Sequence, residues 1–212
     1  DVTLRAISTL KDVNIILAED TRNSKKLLSA HGIQTRMMSY HEHSSDKESQ
    51  KIVDLLLEGN DLALISDAGT PTISDPGYGL IRECIKHEIR IIPIPGVSAI
   101  TAAMSASGLP SDSFTFHGFL PQKKGRLKKI QDLSHIDNTI ILFESPYRLV
   151  KTLTQLLESL GDRSVVVGRE LTKLYEEIIR GNLSDVLEYF SKSKVKGEIV
   201  IMIGKKDDRI HF

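Results

Sequence analysis

Short apolar runs alternate with stretches of helical periodicity along the first half of the chain, and no other feature limits the fold as much. Asn14–Ala18 (NIILA) and Leu62–Ser66 (LALIS) read as buried strands, with Gln34–Ser39 as a further candidate. Around them, Leu4, Ala6, Ile7 and Leu10 have helical spacing, and Thr21–Ala30 and Tyr78–His87 read as helices. Ser45 and Glu48 form an S-x-x-E capping box that opens a helix through Leu57, which Gly59 can stop. Arg90–Ile94 (RIIPI) is an apolar run that Pro93 confines to an edge or a bulge. Ser98–Ser107 is small and apolar, which suits a helix packed closely on a sheet. Strands and helices in strict alternation imply parallel βαβ units with helices on both faces of the sheet.

The second half has a different rhythm. Phe114–Phe119, Thr139–Phe143 (TIILF), Ser164–Gly168 (SVVVG), Tyr175–Arg180 and Glu198–Ile203 are strand candidates. Lys123–Leu133, Tyr147–Leu160 and Leu183–Phe190 are helical, the second closed by Gly161. Strands this closely spaced suggest a mixed sheet. Gly, Pro and Ser cluster at Gly108–Ser113. The expected architecture is therefore α/β with two domains. Residues 1–111 form a mostly parallel sheet with helices on both faces, and residues 112–212 form a mixed sheet with helices.

Composition narrows the function classes. Lys plus Arg and Asp plus Glu number 28 each, which argues against a protein that coats nucleic acid non-specifically and leaves room for a local basic patch. The one cysteine, Cys84, can form neither an internal disulfide nor a cysteine-based zinc site. No apolar run approaches the roughly 18 residues that span a bilayer. A reducing, cytoplasmic location without membrane partners is the expectation.

Several stretches that follow strands carry chemistry-bearing residues. Ser66–Gly79 (SDAGTPTISDPGYG) reads as a long shaped loop where open α/β sheets bind ligands. In it Gly69 permits close backbone approach, and Asp67 and Asp75 can accept from hydroxyls or offset a cation. An elaborate structural turn is the alternative, with Asp75 as a helix cap. Pro93–Ala99 (PIPGVSA) is a second strand–turn–helix, where Ser98 is either a cap or part of a site. Phe143–Arg148 (FESPYR) puts Glu144 directly after a strand; it either faces a ligand crevice or interacts with the following helix start. Ala18–Lys26 (AEDTRNSKK) places Glu19, Asp20 and Arg22 at another strand end. Arg169–Lys173, with Glu176 and Glu177, reads as a structural ion-pair network.

His41-Glu42-His43 offers two metal ligands with no third nearby, so no metal is expected, and His41 fits a polar substrate contact better. Pro121–Lys129 (PQKKGRLKK) holds five basic residues and is the best candidate for contact with an RNA backbone, with Arg22, Lys25 and Lys26 second. A solvated helix face is the alternative. Few aromatics interleave with these cations, so base stacking is not expected from this stretch.

Taken in order, these strings resemble the tetrapyrrole-methylase superfamily, and within it the small-subunit ribosomal RNA cytidine 2′-O-methyltransferases. The resemblance is carried by AEDTRNSKKLL (Ala18–Leu28), SYHEH (Ser39–His43), SDAGTPTISDPGYGL (Ser66–Leu80), PIPGVSAITAAMSASGLPSD (Pro93–Asp112), FHGFLP (Phe116–Pro121), FESPYRL (Phe143–Leu149), RELTKLYEEIIRG (Arg169–Gly181) and KGEIVIMI (Lys196–Ile203). It implies a homodimeric enzyme that binds S-adenosylmethionine in a cleft between its two domains and methylates small-subunit ribosomal RNA, either free or within the assembled subunit. The implied cofactor residues are Ser66, Asp67, Ala68, Gly69, Thr70 and Pro71; Pro95, Gly96, Val97, Ser98 and Ala99; and Phe143, Glu144 and Ser145. Family members also carry a strand and a T-P-I-G-N-L type loop ahead of the segment matching Asp1–Leu10. They continue past a segment of which Gly204–Phe212 would be the beginning, so the resemblance implies that both pieces are missing from this chain.

The implied chemistry is in-line methyl transfer to a ribose 2′-oxygen, with Glu144, Asp20 and His41 as candidate bases. Arg22, Lys25, Lys26, Lys123, Lys124, Arg126, Arg148 and Lys173 are the candidate RNA contacts. The competing expectations are a small-molecule methyltransferase of the tetrapyrrole type and a non-catalytic RNA-binding or ribosome assembly factor.

Overall fold

A computed structural model describes residues 1–41 and 44–206. Two compact units divide the chain, Asp1–Ser98 and Ala99–Phe212.

The first unit is built on three parallel strands, β1 (Ile15–Ala18), β2 (Arg36–Ser39) and β3 (Leu62–Ile65), in the order β2-β1-β3. The central strand is buried along its whole length, as an all-apolar IILA run requires. Its alternate side chains feed two cores. Ile15 and Leu17 pack with Ile52 and Val53 of α3 (Asp46–Leu57) and with Leu80 and Cys84 of α4 (Tyr78–Lys86). Ile16 packs on the opposite face with Leu10 of α1 (Leu4–Asp12) and Leu28 of α2 (Thr21–Ala30). Helices therefore cover both faces of a parallel sheet. The S-x-x-E box closes as its spacing predicts: the Glu48 amide donates to the Ser45 hydroxyl, and the Ser45 amide donates to the Glu48 carboxylate at 2.7 Å. Gly59 ends this helix at a φ of +91°. Arg90–Ile94 forms no strand, and Ile91 and Ile92 stay exposed. Burial pushes the Cys84 thiol pKa up, consistent with a core role.

The second unit is a five-stranded mixed sheet in the order β4-β5-β8-β6-β7: β4 (Phe114–Phe119), β5 (Thr139–Glu144), β6 (Ser164–Arg169), β7 (Glu177–Asn182) and β8 (Ile199–Ile203). Only β4 and β5 pair in parallel. One face carries Ile140, Leu142, Val165, Val167, Ile201 and Ile203 against α6 (Arg126–Leu133), α7 (Leu149–Leu160) and α8 (Leu183–Ser191). The residues between them, Ile141, Val166, Val200 and Met202, face Ala103 and Met104 of α5 (Ala99–Ser107). The two-residue period of the strands thus fills two layers at once. Gly161 ends α7 at a φ of +75°, and Arg180 of β7 caps the last turn of α5 by donating to the carbonyls of Ala106 and Ser107. Among the described residues, no helix is long and apolar enough to cross a membrane.

Candidate functional site

Parallel strands deliver their following loops to one end of the sheet, and in the first unit these loops are stitched together. The Asp20 amide, just past β1, donates to the Asp67 carboxylate past β3 at 3.4 Å. The Thr70 hydroxyl donates to the Val97 carbonyl at 2.9 Å, joining the SDAGTP loop to the PGVSA turn. The Thr3 hydroxyl donates to the Pro95 carbonyl at 3.1 Å and fixes the same turn from its other side. The Tyr40 amide donates to the Ala18 carbonyl, placing His41 just past β2 at that end as well. Five segments far apart in sequence therefore converge through hydrogen bonds.

The surface they make suits a ligand held through backbone. A Cβ at Gly69 or Gly96 would meet no atom within 4 Å, so open space lies before both. Gly69 also has a φ of +80°, which L side chains rarely adopt. Thr72 and Ser74 have positive φ too, at 72° and 61°. Such backbone persists only where surrounding structure holds it, and it concentrates at ligand sites. Here the Ile73 amide donates to the Thr70 carbonyl, and the Thr72 amide donates to the Pro76 carbonyl.

Asp20 caps α2 through the Arg22 amide and pairs with the Arg22 guanidinium at 2.9 Å. The Arg22 side-chain and backbone bonds hold its carboxyl pKa at about 2. Lys25 and Lys26 stand exposed on the same helix. His41 is exposed, while Glu42 and His43 lie outside the described residues.

In the second unit, Glu144 ends β5 with a fully buried carboxylate. It accepts from the Arg148 guanidinium at 2.7 Å, the Thr152 hydroxyl at 2.6 Å and the Ser145 amide at 2.8 Å, with Arg126 at 3.4 Å. Arg126 is only 4% exposed despite its place in the lysine-rich stretch. Its remaining donors reach the Gln155 side chain at 2.8 Å, the Pro121 carbonyl at 3.1 Å and the Thr152 hydroxyl at 2.6 Å. Arg148 also donates to the Leu120 carbonyl at 3.3 Å. One buried carboxylate thus pins the turns that follow β4 and β5. Sequence spacing gave no sign of Arg126 as its partner, because the two are 18 positions apart and on different elements. Lys123 and Lys124 are exposed. Phe143 packs edge-on against Phe116 and Phe119.

The RELTK loop is braced in its own way. Glu170 and Thr172 have φ of 50° and 65°. Lys173 bridges Glu170 and Glu198 at 3.0 Å each, so its cation is committed to these two carboxylates. The Arg169–Glu177 pair at 2.8 Å joins β6 to β7, and the Tyr189 hydroxyl donates to the same glutamate.

The family profile described as Tetrapyrrole (Corrin/Porphyrin) Methylases matches residues 1–187. The chain is 44% identical over 207 residues to "Ribosomal RNA small subunit methyltransferase I" of Thermotoga maritima, across 98% of this chain and 93% of that relative. It is 46% identical over 211 residues to the protein of the same name from Halalkalibacterium halodurans, across 99% and 73% respectively. Among solved structures, it is similar to uroporphyrin-III C-methyltransferase from Thermus thermophilus complexed with S-adenosylhomocysteine, with a TM-score of 0.65 at 17% identity over 95% of this chain and 90% of that one. At that identity the likeness shows the fold alone.

Proposed function

The chain belongs to the tetrapyrrole (corrin/porphyrin) methylase family, and from that premise we propose that it methylates the 2′-oxygen of a cytidine ribose in small-subunit ribosomal RNA. One observation carries this: 44% identity, over nearly the whole of both chains, to a protein named for that RNA. A second relative, 46% identical over 99% of this chain, carries the same name and supports the same substrate. The substrate is the RNA, free or within the small subunit, and the enzyme works as a cytoplasmic homodimer.

S-adenosylmethionine, when bound, supplies a methyl carbon already activated by a positive sulfur. The loops of the first unit fit such a group. Open backbone at Gly69 and Gly96 can take the edges of an uncharged adenosine, and the exposed Asp67 carboxylate can offset the positive charge. Thr70 and Val97 hold the two loops at a fixed spacing. Orientation of this kind supplies much of the rate enhancement in methyl transfer.

The ribose hydroxyl needs a base to share its proton. Asp20, with a pKa of about 2, is a weak acceptor near neutral pH. Glu144 is enclosed, and its oxygens are taken up by Arg126, Arg148, Thr152 and the Ser145 amide, so it acts as a positioning residue for the turns beside it. The exposed His41 imidazole is the base we assign. Lys123 and Lys124, with Arg22, Lys25 and Lys26, hold phosphates.

The test is calorimetric titration with S-adenosylhomocysteine, followed by transfer of labelled methyl to small subunits that lack the modification. A 2′-O-methyl group removes the nucleophile that cleaves RNA in alkali, so the labelled product resists alkaline digestion. Cofactor binding with label on a porphyrinogen and none on RNA would replace this function with small-molecule methylation. No cofactor binding would leave a ribosome assembly factor.

A further inference from the structure

We propose that Tyr147 is a stacking platform for an unpaired base of the RNA, set beside a cationic loop that takes the flanking phosphates; this rests on the RNA substrate proposed above. Tyr147 is 87% exposed, although tyrosine is a large and mostly apolar side chain. It sits in the turn between β5 and α7, and that turn is rigid. The Arg148 amide donates to the Ser145 carbonyl at 3.0 Å, and the residues on either side of the turn are anchored to buried Glu144. A ring held out on a fixed backbone has only two side-chain torsions to immobilise on binding, so stacking on it costs little entropy.

The same buried network brings the cationic loop alongside. Arg148, next to Tyr147, donates to the Leu120 carbonyl, and Arg126 donates to the Pro121 carbonyl. Residues 121–125, which carry Lys123 and Lys124, therefore emerge at the same end of the parallel β4–β5 pair as Tyr147. Arg126 of α6 also donates to Gln155 and Thr152 of α7, so exposed Lys128 and Lys151 belong to two helices packed on each other. No Asp or Glu occurs from Leu120 to Gln131 or from Ser145 to Leu157. Lys123, Lys124, Lys128 and Lys151 form no salt bridge among the described residues. An exposed aromatic ring at the same end of the sheet as exposed lysines that form no salt bridge matches a single-stranded nucleotide: stacking for the base and charge for the phosphates. A double-stranded segment would leave the ring without a base face to cover.

The chain has no tryptophan, so the Y147W variant carries one fluorophore of that kind, at the position in question. Small subunits lacking the methylation, and a single-stranded cytidine-containing oligonucleotide, are the probes. The expected results are quenching of the Y147W emission by the oligonucleotide and a rise of about tenfold in the RNA KM of the Y147A variant. Cofactor affinity should be unchanged, and Y147F and Y147W should retain near wild-type KM. A wild-type KM in Y147A, or unquenched Y147W emission while anisotropy reports bound RNA, overturns the platform and leaves the methylation function standing. A protein that binds S-adenosylhomocysteine and no RNA overturns both.

Discussion

Arg126 and Lys124 are near neighbours in one basic string, and the structure gives them opposite duties. The Arg126 side chain is 5% exposed, and its guanidinium serves four partners inside the second unit. Replacement by methionine keeps much of the apolar stem but leaves Glu144, Gln155 and the Pro121 carbonyl short of a donor. Breaking a buried ion pair by removing one partner costs about 3–5 kcal/mol. Glu144 still keeps Arg148, Thr152 and the Ser145 amide, so the lower end, about 3 kcal/mol, applies. For a chain of this size each kcal/mol moves Tm by about 2–4 °C, so R126M should melt about 6–12 °C below wild type. The charge reversal K124E, on an exposed side chain, should shift Tm by less than about 2 °C. RNA affinity should follow the reverse order, with K124E weakened even at moderate salt. Scanning calorimetry and an RNA-binding titration on the two variants decide the matter. An R126M protein with wild-type Tm and weakened RNA binding would put Arg126 on the RNA-facing surface and refute the buried network.

Three other perturbations follow from the geometry. The T70V variant loses the bond to the Val97 carbonyl; S-adenosylhomocysteine affinity should fall about fivefold by calorimetry, the equivalent of about 1 kcal/mol, with Tm lowered by no more than about 2–4 °C. Gly77 has a φ of +130°, and a Cβ there would lie 2.7 Å from Leu64 Cδ2 and 3.0 Å from Thr72 Cγ2, so G77A should cost about 2 kcal/mol by urea denaturation, and an unchanged midpoint would refute the packing. Burial by itself raises the Glu177 carboxyl pKa, but the bonds from Tyr189 and Arg169 outweigh it and leave the group below its ordinary 4.5. A folded-state value below the unfolded one gives stability that is present above the unfolded pKa and is lost as pH falls through the folded pKa. E177Q should therefore show a flatter loss of stability below about pH 4.5 than wild type, and superimposable acid limbs would refute the assignment.

The local grammar of the chain was legible wherever one residue decides the backbone. The Ser45–Glu48 box, the stops at Gly59 and Gly161, and the apolar IILA and IILF runs report local geometry and burial directly, and each became the element its residues predict. The ends of the strands, and hence the loops that bear the candidate residues, followed from the same periodicity. Pairing did not. Nothing in the spacing of β4 to β8 shows that β8 inserts between β5 and β6, because sheet order depends on contacts distant in sequence. Charge was equally opaque. PQKKGRLKK looks uniformly basic as a string, yet its Arg126 side chain turns inward to a carboxylate 18 residues away. Tyr147, with no basic residue before it in its own turn, emerges at the same end of the β4–β5 pair as the lysines of another loop through the bonds of Arg148 and Arg126. The sequence by itself determined the elements and the chemistry available at their ends. Only the tertiary structure decided which charges are spent inside and which remain for a ligand, because burial and partnership are properties of packed elements.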